Sequence, residues 1–215
     1  MRATLQDAFE TKRWDSRDGY PRSGAGSTLD ATRKLRQALP RLFDTYNVKT
    51  FLDAPCGDWF WMQHVAFGDV SYIGADISEE VIAEVSHAHA DTKRQFMHLD
   101  ITHDPLPAAD MMLCRDCLFH LTNDMKWAFF ENFARSKISY LLLTMNHVLV
   151  NDPIKNNGDF AKFNPCLPPF NFPQPIEMVH ESERVNLRPR FLATPRGSWQ
   201  RSLGLWSRDE VVDAL

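Results

Sequence analysis

The chain has 215 residues, 44% of them hydrophobic and 24% charged, the usage of a globular protein long enough to bury a core around a twisted sheet. A formal net charge of −4 argues against a generic polyanion binder, which needs Lys and Arg clustered on one face. No apolar run approaches the roughly 20 residues that cross a bilayer, and the first residues lack a secretory signal's apolar stretch. The chain is therefore expected to be one domain over residues 1–215, cytoplasmic, without membrane attachment, and monomeric or homodimeric.

Residues 1–28 are rich in Gly, Ser, Arg and Asp and read as an irregular N-terminal arm whose run Ser23–Thr28 precedes a helix. Leu35, Leu39, Leu42 and Phe43 recur at amphipathic spacing and predict a helix over 30–46, followed by a strand over 48–52. Further along the chain the pattern predicts a short helix over 59–65 and a strand over 71–75. A helix over 79–90, capped by Ser78, follows, then strands over 95–99 and 110–114. A helix over 125–136 and a strongly apolar strand over 138–145 come next. Residues 151–175 carry six prolines among several Phe residues, the composition of a substrate-facing cover within an insertion spanning 146–201. A last strand over 202–206 and a capped helix over 207–215 close the chain. Strand and helix alternating in this way imply right-handed crossovers and a mainly parallel sheet, with a ligand crevice beyond the carboxyl ends of its strands.

The four cysteines, Cys56, Cys114, Cys117 and Cys166, sit in apolar or turn-like surroundings and are expected as reduced thiols. Cys114 and Cys117 form a C-x-x-C pair, but no second pair with metal spacing follows, so no metal site is expected. Arg184, Arg188, Arg190, Arg196 and Arg201 make one basic cluster, read as a solvated face or as a clamp for an anion.

Three strand ends carry the sharpest chemistry. Thr50-Phe-Leu-Asp-Ala-Pro-Cys-Gly-Asp-Trp59 runs an apolar strand into Asp53 and a turn at Gly57; Tyr72-Ile-Gly-Ala-Asp-Ile-Ser78 ends a strand at Asp76; Met97-His-Leu-Asp-Ile101 ends one at Asp100. In this order, about two dozen residues apart, they resemble the class I S-adenosylmethionine-dependent methyltransferases. The resemblance covers residues 48–145. It implies a Rossmann-like three-layer α/β sandwich with a mostly parallel seven-stranded sheet and helices on both faces. The implied cofactor is S-adenosyl-L-methionine, with S-adenosyl-L-homocysteine as product. Asp53, Ala54, Pro55, Cys56, Gly57 and Trp59 would border its methionine portion. Asp76 would receive the ribose hydroxyls, because a carboxylate accepts two hydrogen bonds in a fork, with Ile77 beside it at the cofactor. Asp100 and Ile101 would hold the adenine. Pro55 and Trp59 stand where the family usually has glycines.

After the fourth strand, Arg115, Asp116 and His120 fall where the family places groups near the transferred methyl. Arg115 is assigned to the cofactor. His120, with an unperturbed pKa near 6.5, is the candidate base, Asp116 its orienting partner or a substrate contact, and His147 the rival base. The segment Asn151–Phe160 with Pro169–Pro173 is similar to a pattern in uncharacterised bacterial methyltransferases, some near polysaccharide genes. It offers Asn151, Asp159, Asn164 and Phe170 as substrate contacts, or equally as loop caps. The resulting expectation is methyl transfer to oxygen or nitrogen of a small-molecule acceptor such as a sugar or a natural-product intermediate. A catalytically silent binding module, a nicotinamide oxidoreductase and an RNA methyltransferase are the alternatives, and nucleic acid is not the expected partner.

Overall fold

The computed structural model describes Leu5, Gln6, Phe9, residues 20–181 and residues 201–215. Its centre is a seven-stranded sheet of β1 (Thr50–Asp53), β2 (Ser71–Asp76), β3 (Arg94–His98), β4 (Met111–Cys114), β5 (Tyr140–Asn146), β6 (Glu177–His180) and β7 (Arg201–Ser207), in the order β3-β2-β1-β4-β5-β7-β6. Strands β1 to β5 run parallel, and β7 is antiparallel to both β5 and β6. The helices are α1 (Arg33–Thr45), α2 (Glu79–His89), α3 (Asn123–Arg135) and α4 (Arg208–Asp213).

Strand alternation divides the core in two. On one face Phe51, Met111, Leu113 and Leu142 meet Leu35, Leu39, Leu42 and Phe43 of α1 and Ile82 and Val85 of α2. On the other, Leu52, Met112, Leu141 and Leu143 meet Phe129, Phe130 and Phe133 of α3 and Val211 of α4. This is the three-layer arrangement the alternation implied, because a sheet buried on both faces needs helices on both. The ends of α2 and α4 are set locally. Ser78 Oγ accepts the Val81 N–H, and Ser207 with Glu210 forms a complete capping box. Among the described residues no helix is long and apolar enough to cross a membrane.

Several boundaries differ from the sequence expectation. The helix read over 59–65 shrinks to a 3-10 turn at Met62–His64, because Gly57 and Trp59 both have φ near 55° and turn the chain away from a right-handed helical path. The strand read from 138 begins at Tyr140, since the Ile138 N–H is taken by Ser136 Oγ. β6 lies in the stretch read as irregular insertion; it is four residues long and, among the described residues, pairs only with β7. Residues 182–200, with Arg184, Arg188, Arg190 and Arg196, and most of the arm before Tyr20 lie outside the described residues.

The segment from 147 to 175 packs onto the α3 face. Asn146 donates its N–H to the Phe163 carbonyl and accepts the Phe163 N–H at Oδ1. Phe163, Phe170 and Phe172 are all buried. Phe170, expected as a substrate contact or part of a loop cap, is a core side chain, 1% exposed and within 4.6 to 5.8 Å of the rings of Trp127, Phe163 and Phe130.

Candidate active site

Strand order reverses between β1 and β4, and the crevice at such a switch point opens at the carboxyl ends of the strands. Asp53 ends β1 and is 2% exposed. Its Oδ2 accepts the Tyr72 hydroxyl at 2.8 Å. Burial pushes its carboxyl up to about 7, against the Tyr72 hydrogen bond and the nearby Arg115 guanidinium, which pull it down.

The turn after Asp53 is stitched to both neighbouring strands: the Ala54 N–H donates to Leu113 O and the Cys56 N–H to Ala75 O. The Ala54–Pro55 peptide is cis. Gly57 then takes a φ of 55°, which glycine adopts without strain, and a Cβ there would meet that of Ser23 at 3.2 Å. This geometry brings the Gly57 N–H to Asp76 Oδ2 at 3.0 Å, while the Ser78 N–H reaches Asp76 Oδ1 at 3.0 Å. Burial raises the Asp76 carboxyl, and these backbone donors oppose the rise. Each oxygen keeps a further lone pair, so the carboxylate can still accept two hydroxyls.

Asp100 follows β3, and its Oδ1 accepts both the N–H and the hydroxyl of Thr102, at 2.9 and 2.6 Å. The Ile101 carbonyl is held by Asn132 Nδ2 at 2.9 Å, so α3 braces the loop. Ile101 is buried and Ile77 packs against the same cluster. Parallel pairing of β1, β2 and β3 sets the three acids along one edge of the sheet, as the sequence spacing required. Trp59 lies elsewhere. It packs into the α1 and α2 face, 5.8 Å from the Tyr72 ring and 5.7 Å from the Phe96 ring, and so does not narrow the crevice.

Arg115, expected at the cofactor, is held in a buried charge cluster. Its guanidinium meets Glu181 Oε1 at 2.9 Å, Asp116 Oδ2 at 3.2 Å and the Gly26 carbonyl at 2.7 Å, and it lies over the Trp61 ring. Arg201 completes the cluster through Asp116 Oδ2 at 2.6 Å, Glu181 Oε2 at 2.8 Å and the same Gly26 carbonyl at 3.2 Å. Two buried cations and two carboxylates thus tie the end of β4, the end of β6 and the start of β7 to the arm. Gly26 is required here, as a Cβ would come within 2.8 Å of Asp116 Oδ2. The run Ser23–Thr28 therefore presents a carbonyl to two arginines. Its start is anchored over the Gly57 turn, with Ser23 Oγ donating to Asp58 Oδ1 at 2.8 Å.

Asp116 adopts a φ of 53°, and its N–H donates to Thr144 Oγ1 at 2.9 Å. Its carboxylate turns to Arg115 and Arg201; the partner of His120 is instead the Asp159 carbonyl, 2.8 Å from Nδ1. The Asp159 carboxylate itself accepts from Asn156. The His120 ring packs beside those of Phe119 and Phe160, which also contact each other. His147, just beyond β5, places Nε2 2.8 Å from Ser202 Oγ. Asn151 Nδ2 donates to the carbonyls of Asn164, Leu167 and Pro168, and its Oδ1 accepts the Asn164 N–H. Asn164 Oδ1 caps the Cys166 N–H. Of the two roles the sequence offered for Asn151 and Asn164, the structure fills the loop-capping one. Sequence reasoning missed Glu181, Gly26, Tyr72 and Thr144; only the basic character of Arg201 and the Ser23–Thr28 run gave a signal.

All four cysteines carry free thiols, with Cys56 and Cys114 buried. Among the described residues there is no group of three or more His, Cys, Asp or Glu placed to hold a metal.

Residues 51–136 match the family model described as a methyltransferase domain. No curated protein gives a significant match. The magnesium protoporphyrin IX methyltransferase of Synechocystis PCC 6803, solved with bound SAM, superposes with a TM-score of 0.57 at 14% identity, covering 96% of this chain and 96% of that one. This likeness, together with the sheet order, makes the fold the Rossmann-like α/β fold of such methyltransferases. Human N-acetylserotonin methyltransferase in complex with SAM is 16% identical over 67% of this chain and 48% of that one, with a TM-score of 0.42. The N-terminal domain of EvdMO1, solved with SAH and D-fucose, is 16% identical over 72% of this chain and 66% of that one, with a TM-score of 0.46.

Proposed function

We propose that this protein is an S-adenosylmethionine-dependent methyltransferase that modifies oxygen or nitrogen of a small-molecule acceptor. The observation that carries the reading is the Gly57 to Asp76 junction, where the turn after β1 and the acid ending β2 are locked together beside Asp53 and Asp100. The family match over residues 51–136 supports it.

In this reading Asp76 receives the ribose hydroxyls on the lone pairs its backbone donors leave. Gly57 lets the main chain approach the methionine portion, and Asp100, steadied by Thr102, accepts from the adenine. When bound, the cofactor supplies an electrophilic methyl on a sulfonium. The protein's part is to hold the acceptor atom in line, about 3 to 3.5 Å from that methyl, and to take its proton where it has one. Arg115 supports the site from below by fixing Asp116 and the arm. His120 and His147 are the imidazoles offered for the proton, and residues 146–201 form the acceptor side of a single methyltransferase domain.

Calorimetric titration with S-adenosylmethionine and S-adenosylhomocysteine, with NAD as control, tests this reading. Micromolar binding of both sulfur ligands is the expected result. Absence of binding, or binding of NAD alone, would refute it.

A further inference from the structure

Beyond the carboxyl end of β5, the antiparallel register sets Met145 and His180 on either side of Ser202. A serine hydroxyl thus sits between two imidazoles: His147 Nε2 lies 2.8 Å and His180 Nδ1 2.9 Å from Ser202 Oγ. Ser202 is completely buried, His147 half-buried and His180 exposed. The row of groups leads from the carboxyl end of β5 to the surface. Its inner end is tied to the site, because Asn146 pairs with Arg201, and Arg201 binds Asp116.

A hydroxyl has one proton to donate and two lone pairs to offer, so it relays between the two rings when it gives to one and receives from the other. Two arrangements satisfy this. In the first, His147 Nε2–H donates to Ser202 Oγ and Ser202 O–H donates to His180 Nδ1, with both rings in the intrinsically preferred Nε2–H tautomer. In the second, both rings must be Nδ1–H, the less favoured form. The first leaves the His147 Nδ1 lone pair as a base.

We propose that His147, Ser202 and His180 form a proton wire serving the acceptor side of the site, with His147 as the base and Ser202 and His180 as relay groups. This rests on the methyltransferase reading above. As the acceptor atom bonds to the methyl, its proton passes to His147 Nδ1. The Nε2 proton then moves to Ser202 Oγ, the serine proton moves to His180 Nδ1, and the His180 Nε2 proton leaves to water. Every group ends neutral and the proton is delivered outside, leaving both rings Nδ1–H; proton exchange with water returns them to the preferred Nε2–H form before the next turnover. His120 cannot do this by the same route, since its Nδ1 hydrogen bond ends on a main-chain carbonyl. Burial, then the neighbouring His180, hold His147 below the ordinary imidazole range, which keeps it neutral near pH 7. The charged groups on the adjoining strand ends, Arg201 and Glu181, are paired with each other.

The test is a long-range nitrogen–proton correlation spectrum of the uniformly labelled full chain at neutral pH, assigned with His147→Gln and His180→Gln. Both rings are expected as Nε2–H, with the His147 Nδ1 resonance in the unprotonated position, and Ser202→Ala should abolish this fixed tautomer. His147 found as Nδ1–H, or spectra unchanged by Ser202→Ala, would overturn the wire. Titrating S-adenosylhomocysteine into the same samples separates the two failures. Binding with His147 as Nδ1–H overturns the wire alone, whereas no binding overturns the methyltransferase reading and the role of the wire with it.

Discussion

Asp53→Asn tests the electrostatics of the crevice most directly. Desolvation at this buried position raises the carboxyl from the usual 3.8 to about 7, and the opposing contributions of Tyr72 and Arg115 do not bring it back. A carboxyl with a raised value holds its proton more tightly when folded. Between these two values the folded chain therefore carries more protons than the unfolded one, and stability falls as pH rises through that window. At ~1.36 kcal/mol per pH unit, the gap comes to about 4 kcal/mol, fully lost only above the folded value. Asn keeps an oxygen to accept the Tyr72 hydroxyl but does not titrate. The variant should therefore gain on wild type by up to about 4 kcal/mol between about pH 4 and pH 8, a Tm difference of up to about 8–16 °C in a chain of this size. Thermal and urea unfolding of both proteins across that range gives the comparison. Asp76, whose carboxyl is also raised by burial and whose charge helps to raise that of Asp53, contributes to both curves. Parallel curves would refute the reasoning.

Asp76→Ala should weaken S-adenosylhomocysteine binding by about 10- to 100-fold, since a hydrogen bond to a charged group contributes roughly 1.5 to 3 kcal/mol; equal affinity in calorimetry would remove Asp76 from the ribose. Arg201→Met leaves Asp116 and Glu181 buried with Arg115 alone, and an orphaned buried charge costs about 3 to 5 kcal/mol, so urea unfolding should show a loss of that order and proteolysis should find the arm around Gly26 released. Lys126 is buried on α3 with Asn123 Oδ1 at 3.2 Å as its side-chain partner, and burial lowers its ammonium to about 8. A depressed lysine disfavours the folded state below its folded value and ceases to do so as pH rises toward its unfolded one. Lys126→Met should therefore raise Tm at neutral pH, with the advantage shrinking toward about pH 10; an advantage that does not change with pH would point to packing alone.

The elements legible in the sequence are those whose determinants lie within a few residues. Leu35, Leu39, Leu42 and Phe43 define α1 by spacing, Ser78 and the Ser207–Glu210 pair fix helix starts, and β4 and β5 announce themselves as apolar runs. The acids Asp53, Asp76 and Asp100 were legible for the same reason, since each ends a strand in a repeating βα unit. Tertiary structure decided the rest. β6 exists because β7 offers it an edge, and four residues carry too little periodicity to declare that alone. Phe170 is core rather than substrate-facing because Trp127 and Phe130 of α3 wait beneath it. Arg115, Asp116, Glu181, Arg201 and Gly26 span 175 residues of sequence yet share one buried charge cluster, and Ser202 meets His147 and His180 only through antiparallel register. A buried charge must find its partner wherever the fold delivers one. Local sequence therefore determines which strand ends carry acids, and long-range packing determines which cations, carbonyls and imidazoles those ends meet.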